Sequence, residues 1–509
     1  MTRPSEAGQA GAPAGRPNCD AFDNPPALCY HHQGPDCRLG LQCPDTKPGR
    51  STARLWSSAK KRLARVCWCL VAEAVGRRST KLCCSRAHSA FISEGGVFVF
   101  LREGEVPLDT LSWAEALREE IVGWRRQIHM RPELGFHEER TAALVAEVLQ
   151  GLGLEVRRGV GKTGVVGRLG SGRPCVAIRA DMDALPLQEV NAVPYASQVP
   201  GVMHACGHDG NTAMALGAAA ILARIGERPQ GEVRFLFQPC EEGADAEGKS
   251  GAQRMLEDGA LDGVEAVMAL HVASTLPAGN VAVSGGYMLA AADAWEATLT
   301  GQGCHGAYPH LGLDPFSLLA QVIPAIHSIV ARRIDPLHPA VVSIGAIHGG
   351  DGGNIIPGEV RLKGTIRSFD DETRRCLHRE LERALALART LGGDYTLALR
   401  EGVPATYNHP AIARVVAEAA AGLLGAQAVT AQEAGMGAED FAWMLQRAPG
   451  LAFQIGAQRS GEQRLHHSPD FDFDDSVLPS GAAVLAEAAC RLLRMSDLEG
   501  LTMLRATGQ

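Results

Sequence analysis

From about residue 111 onward, stretches of helical periodicity alternate with short apolar runs, and this alternation limits the fold more than any other feature of the chain. Apolar residues recur at helical spacing over 111–130 (Leu117, Ile121, Trp124, Ile128), and Pro132 then forces a break. Residues 141–152 predict a second amphipathic helix. Strand-like runs at 164–169, 175–180, 232–238 and 266–271 interleave with helical stretches at 211–225 and 251–258. Such interleaving predicts an α/β fold, a layered sheet flanked by helices.

At 509 residues the chain exceeds what one hydrophobic core organises, so two or more folded units are expected. Apolar residues make up 46% and charged residues 21%, which excludes a disordered or fibrous chain for the bulk of the sequence. Net charge is −8, and beyond the first hundred residues no basic stripe is present, so no nucleic-acid partner is expected. The longest apolar stretches, such as 213–225, are broken by small residues and suit a buried helix, so no membrane partner is expected either. The N-terminus lacks an apolar core followed by a cleavage site, which predicts a cytoplasmic protein.

Eight of the 14 cysteines (Cys19, Cys29, Cys37, Cys43, Cys67, Cys69, Cys83, Cys84) precede residue 85. Neither a disulfide framework nor a zinc site around Cys29, His31, His32 and Cys37 fits well, because paired C-x-x-C spacing and an export signal are both missing. Residues 1–105 are rich in Pro, Gly and Arg and show no sustained periodicity beyond a short helical stretch at 59–75. They are expected to be a disordered extension, or a segment preceding a true start near 97–106.

Residues with chemistry to offer gather where the strands end, the position at which open α/β sheets carry their sites. Asp181 and Asp183 follow the run ending at Ala180. Cys206, His208 and Asp209 share a loop before a helix, Glu241 and Glu242 follow the run through Phe237, and His271 closes another strand. Singly, each has a bland explanation, since a lone Cys is usually a small buried hydrophobe and adjacent Glu residues usually form a solvated loop. Together they supply the sulfur, nitrogen and oxygen donors that zinc-like or manganese-like ions prefer. Adjacent residues in extended backbone point in opposite directions, so one of Glu241 and Glu242 can ligate while the other acts as a base. A metal ion acidifies water, and such a base can take its proton and return it to a leaving amine.

Seven blocks carry a resemblance: 128–138 (IHMRPELGFHE), 179–187 (RADMDALPL), 203–210 (MHACGHDG), 238–243 (QPCEEG), 303–310 (GCHGAYPH), 354–357 (NIIP) and 465–469 (LHHSP). In this order, across residues 111–495, the chain resembles the M20 metallopeptidases. Within them it is similar to the amidohydrolase branch of hippurate hydrolases, N-acyl-amino-acid hydrolases, auxin-conjugate hydrolases and thermostable carboxypeptidases. The resemblance implies a zinc-peptidase-like catalytic domain in two parts, 111–291 and 401–495, and an inserted lid and dimerisation domain over 292–400. It implies two divalent metal ions, Zn²⁺ or Mn²⁺ with Co²⁺ or Ni²⁺ as alternatives, and a homodimer formed through the lid. Cys206 would bridge the metals, with His208, Glu242, His271 and His467, rather than His466, as further ligands. Glu241 would be the general acid/base, and Asp183 would orient a ligand. His305 would stabilise the oxyanion, in its own or the second subunit's site, while Asn354 and Arg367 would bind a substrate carboxylate. Substrates would be N-acyl amino acids or short peptides, with a carboxypeptidase or dipeptidase as the alternative.

Within 292–400 the runs 296–299, 341–347 and 359–368 and the helical stretches 315–332 and 371–391 predict a βαββα order, an α/β sandwich. Asn211, Cys304 and Cys240 depart from residues common in the family, which bears on pocket shape rather than on the ligands. Two readings from other classes stand beside this one. A cysteine-nucleophile hydrolase using Cys206 is disfavoured because His208 is only two residues away, and the other alternative is a non-catalytic metal-binding protein.

Overall fold

The computed structural model describes residues 89–92, 98–101, 109–226, 228–495 and 498. Within the first 105 residues it describes an antiparallel strand pair, Ser89–Ile92 with Phe98–Leu101. The readings of the remaining N-terminal residues, including the helical stretch at 59–75 and the cysteine cluster, lie outside the described residues.

Helices α1 (Arg118–His129) and α2 (Glu139–Gly151) lead into strands β1 (Glu155–Val160), β2 (Gly164–Ser171) and β3 (Cys175–Asp181). Next come α3 (His208–Arg224), β4 (Gly231–Gln238), α4 (Gly251–Glu257), β5 (Ala266–Pro277) and the short β6 (Val281–Ala282). An inserted unit follows with β7 (Ala291–Thr300), α5 (Pro315–Arg333), β8 (Ala340–His348), β9 (Glu359–Ser368), α6 (Asp371–Leu385) and β10 (Asp394–Arg400). The chain returns through α7 (Pro410–Leu424), β11 (Val429–Thr430), β12 (Gly450–Gln458) and α8 (Leu478–Leu493). The helix expected at 111–130 is two helices, Thr110–Ala116 and α1, separated at Leu117.

Eight strands form one sheet in the order β11-β6-β12-β5-β3-β4-β2-β1. The four central strands β12, β5, β3 and β4 run parallel, while β2 and β1 add antiparallel at one side. Burial alternates between the two faces, as the period of a strand requires. Val176, Ile178, Val233, Phe235, Met268 and Leu270 join the core under α3 and α8, whereas Ala177, Leu236, Val267 and Ala269 pack on the opposite face beneath α4 and Phe441. Helices on both faces are what a buried parallel sheet requires.

In the inserted unit β8, β9, β7 and β10 form an antiparallel sheet in that order, with α5 and α6 covering one face. Trp295, Ala297 and Leu299 point into its core, and Glu296 between them points out. Asp314 and Asp370 cap α5 and α6 by accepting from the Phe316 and Thr373 amides. The predicted βαββα order lacked the fourth strand, β10, whose pairing with β7 makes the unit βαββαβ. The helices Pro315–Arg333 and Asp475–Leu493 are long and apolar enough to cross a membrane, contrary to the expectation that no stretch is. The second is 83% buried within the protein, so its apolar length serves the core.

Two buried ion-pair hubs hold these units. Arg125, fully buried on α1, donates to Asp209 (2.7 Å), Asp472 (3.0 Å) and Asp475 (2.8 Å). In the inserted unit, Asp293 accepts from Arg374 Nε (2.9 Å) and the Gly402 amide (3.0 Å) and lies 2.7 Å from His378 Nε2. Replacing Arg125 with Met leaves three carboxylates without their buried cation, and unfolding experiments should show a loss of about 3–5 kcal/mol. A loss below about 1 kcal/mol, the surface-pair range, would show that the hub is not stabilising. Burial opposes ionisation of Asp293, but Arg374, His378 and the Gly402 amide hold its carboxyl below the usual range. A carboxyl with a depressed folded-state pKa stabilises above its unfolded value, near ~4, and loses that contribution as pH falls through the folded one. Asp293→Asn should therefore flatten the acid loss of stability below about pH 4, with no flattening as the contrary result.

Candidate metal centre

The parallel register brings the candidate residues to one rim. Asp181 pairs with Gln238, and Arg179 pairs with Ala269, so His271 stands level with Asp181 two residues further along β5. Asp183 lies just past β3, Glu241 and Glu242 just past β4, and Cys206 and His208 at the start of α3. That helix starts three residues earlier than the expected 211, which places His208 and Asp209 in its first turn, both fully buried. His271 does not end its strand as expected. Residues beyond it pair with β12, Val272 with Ile455 and Ala273 with Gly456, a long-range contact that local pattern does not reveal.

Donor atoms converge in overlapping trios. Cys206, His208 and His271 form one, Cys206, Glu242 and His467 a second, and His208, Glu241 and Glu242 a third, with the ligand atoms of each within 4.8 Å of one another. Cys206 Sγ lies 3.6 Å from His271 Nε2 and 3.4 Å from His467 Nε2. His208 Nδ1 faces the Asp183 carbonyl at 2.9 Å and His271 Nδ1 faces the Val272 carbonyl at 2.7 Å. A proton donated there leaves each Nε2 lone pair turned to the centre. His466 differs from its neighbour, because its Nδ1 lies 3.0 Å from the Cys206 carbonyl and its Nε2 accepts from the Ser274 amide. Both of its nitrogens are engaged with backbone.

Glu241 and Glu242 occupy a bend, not the extended backbone expected. Cys240 before them has a left-handed φ of 43°. Their carboxylates consequently approach the same His208, although each has its own neighbour: Glu241 Oε2 is 4.0 Å from His208 Nε2, and Glu242 Oε1 is 3.0 Å from His467 Nε2.

Divalent ions fit this arrangement. His208 Nε2 is a buried atom without a hydrogen-bond partner, a costly state unless something else satisfies its lone pair. One thiol, three imidazoles and two carboxylates suit zinc-like or manganese-like ions, and two trios sharing Cys206 provide donors for two.

The electrostatics concentrate negative charge. Burial, then Glu439 and Asp440, pushes the Glu241 carboxyl well above the usual range. Burial works against a charged His208, yet Asp181, Cys206 and Asp183 carry its imidazole well above the usual histidine range. Burial likewise pushes the Cys206 thiol up. Arg179 brings a guanidinium into the group, donating to Asp181 (2.6 Å), Glu439 (3.0 Å) and Asp440 (3.1 Å). Sequence reasoning gave no role to Arg179, Glu439 or Asp440. The adjacent acids at 439 and 440 were the available signal, but nothing local shows that they fold back beside Glu241.

The remaining candidates lie in the inserted unit. His305 pairs with Ile355 across a two-residue ladder, beside Asn354, whose carbonyl accepts from Gly306. Arg367 sits on β9 and donates to Thr365 and to the Ile366 carbonyl. His305 belongs to none of the donor clusters among the described residues.

Comparison with known proteins assigns the chain to a family. Residues 177–491 match the profile of Peptidase family M20/M25/M40. Thermostable carboxypeptidase 2 of Saccharolobus solfataricus is 40% identical over 378 residues, 73% of this chain and 95% of that one. An N-acyl-L-amino acid amidohydrolase of Geobacillus stearothermophilus is 42% identical over 299 residues, 58% of this chain and 80% of the relative. A Bacillus subtilis crystal structure, described as a dinuclear metal-binding peptidase of the M20 family, superposes with a TM-score of 0.65 at 33% identity, covering 74% of this chain and 99% of that one. With its profile, its relatives and its convergent donors in accord, the chain belongs to the M20/M25/M40 peptidase family and is a metal-dependent hydrolase of amide bonds.

Proposed function

We propose that the preferred substrates are N-acyl amino acids, with short peptides cleaved by the same residues. The convergence of Glu241 and Glu242 on His208, beside the shared Cys206, carries this reading. Cys206, His208, Glu242, His271 and His467 would hold two divalent ions, Zn²⁺ or Mn²⁺ with Co²⁺ or Ni²⁺ as alternatives. Such ions, when bound, supply Lewis acidity and an acidified water.

Glu241 takes a proton from the attacking water and delivers it to the leaving amine. Its burial beside Glu439 and Asp440 favours that task, since a carboxylate with raised proton affinity is the stronger base. Asp183 orients His208, with its Oδ1 3.3 Å from Nδ1. His305 stabilises the oxyanion, and Asn354 and Arg367 bind the substrate carboxylate. Because these three sit on the segment 292–400, that segment acts as a lid, and pairing of two lids in a homodimer places them over a site. The relatives, a carboxypeptidase and an N-acyl-L-amino acid amidohydrolase by name, support this substrate class. We place the enzyme in the cytoplasm.

Hydrolysis of a panel of N-acetyl and N-benzoyl amino acids and dipeptides by metal-loaded protein tests the substrate class, and cleavage of none of them would refute it. Chelation should abolish activity and Mn²⁺ or Zn²⁺ restore it, whereas activity in metal-free protein that is lost on alkylation would favour a cysteine nucleophile. Glu241→Gln should retain its metal while turnover falls about 10²–10⁴-fold, the range of general acid–base catalysis. Unaffected turnover would remove Glu241 from its role. Cys206→Ala should lose metal as well as rate, and normal metal stoichiometry in that variant would remove Cys206 from the centre.

A further inference from the structure

The turn that aims Glu241 is clamped from a part of the chain the mechanism does not use. Glu138 precedes α2 and is fully buried. Its Oε1 accepts from the Cys240 amide at 2.8 Å and from the Phe136 amide at 3.0 Å. Its Oε2 accepts from the Thr163 hydroxyl at 2.5 Å. All three donors belong to loops: one before α2, one between β1 and β2, and the one that carries Glu241.

Cys240 needs such a clamp. A non-glycine residue in the left-handed region is disfavoured unless its surroundings hold it there. The Cys240 carbonyl accepts from Gly251 at 2.9 Å, which fixes the other side of the residue. Contact is close on both flanks. A Cβ on Gly135 would stand 2.6 Å from Cys240 Sγ, and one on Gly251 would stand 1.6 Å from the Pro239 carbonyl oxygen. After Glu241, the Glu242 amide donates to Asp183 Oδ2 at 3.0 Å. Glu241 is thus held in the backbone frame by two buried carboxylates, Glu138 accepting from the amide before it and Asp183 from the amide after it.

We infer that Glu138 is a positioning residue for Glu241, holding the Cys240 turn so that the base meets the water and the scissile amide in register. The inference rests on the reading of Glu241 as the base. Glu138 is more than 100 residues from Cys240 in sequence, and its contribution comes from reach and acceptor geometry, not from charge.

Glutamine and aspartate separate those two properties. In Glu138→Gln the amide oxygen can still accept from the Cys240 and Phe136 amides, while the new NH₂ donates to Thr163 Oγ1, which turns from donor to acceptor. In Glu138→Asp the charge stays but the side chain is one methylene too short to span the three donors. The test is steady-state kinetics with bound metal measured on each purified variant. Glu138→Gln should keep kcat within about threefold of the parent, and Glu138→Asp and Glu138→Ala should lower kcat by about 10–100-fold with KM and metal content retained, as expected when a reacting group is misplaced by a fraction of an ångström. If the alanine variant does not accumulate as folded protein, the aspartate variant decides. Equal loss in the glutamine and aspartate variants, full kcat in the aspartate variant, or parallel loss of metal would each overturn the inference. Glu241→Gln in the same assay keeps the two readings apart: if that variant turns over normally the base assignment fails, and if only the Glu138 variants do, the positioning role fails alone.

Discussion

Strand β3 lies parallel between β4 and β5, and the site depends on that pairing. Parallel strands deliver their carboxyl ends to the same side of a sheet, so three segments far apart in sequence put their following loops over one rim. A one-residue slip of β3 would turn Arg179 from the partners it has toward the opposite core. Register at the centre is fixed by burial on both faces, since Val176 and Ile178 fill one core while Ala177 fills the other. Packing energy of the ordinary apolar kind, about 1.5–3 kcal/mol for each large side chain buried, is therefore what sets the ångström-scale placement of the polar groups.

Charge balance is the second constraint. Asp181, Asp183, Asp209, Glu241, Glu242, Glu439 and Asp440 crowd one end of the sheet, and buried carboxylates require partners. Arg125 answers on the α1 side and Arg179 on the α4 side. Neither reaches Glu242 or the unpartnered Nε2 of His208. Divalent cations, which the family binds, would supply what the two arginines leave unbalanced. The sheet is thus built with a deficit of positive charge at the rim where the candidate ligands converge.

Much of this was legible in the sequence because motif and element coincide. Cys206 and His208 lie at the start of a helix whose apolar run is easy to read, and Glu241 and Glu242 follow a strand bounded by Pro239. What escaped was whatever depends on contacts between distant segments. Residues 272–277 carry no signal that extends β5 past His271, because the partner strand lies nearly two hundred residues later. The strand β10 was missed although Tyr395, Leu397 and Leu399 alternate with exposed residues, because its one partner in the sheet is β7, nearly a hundred residues earlier. Glu439, Asp440 and Glu138 were invisible for the same reason: each is an ordinary acidic residue until the chain folds it against the loop after β4.

That loop shows why adjacency in sequence was a poor guide to the glutamate pair. In a strand the two carboxylates would face opposite sides of the sheet and could not share a site. The left-handed Cys240 removes them from the strand and lets both approach His208, at the expense of a backbone conformation that needs external support. Support comes from acceptors fixed in other elements, Glu138 before α2 and Asp183 after β3. Asp183 also faces His208, so one carboxylate sets the placement of the His208 imidazole and of the backbone that follows Glu241. Geometry shared in this way links Glu241 to His208, since displacing Asp183 would disturb the contacts of both.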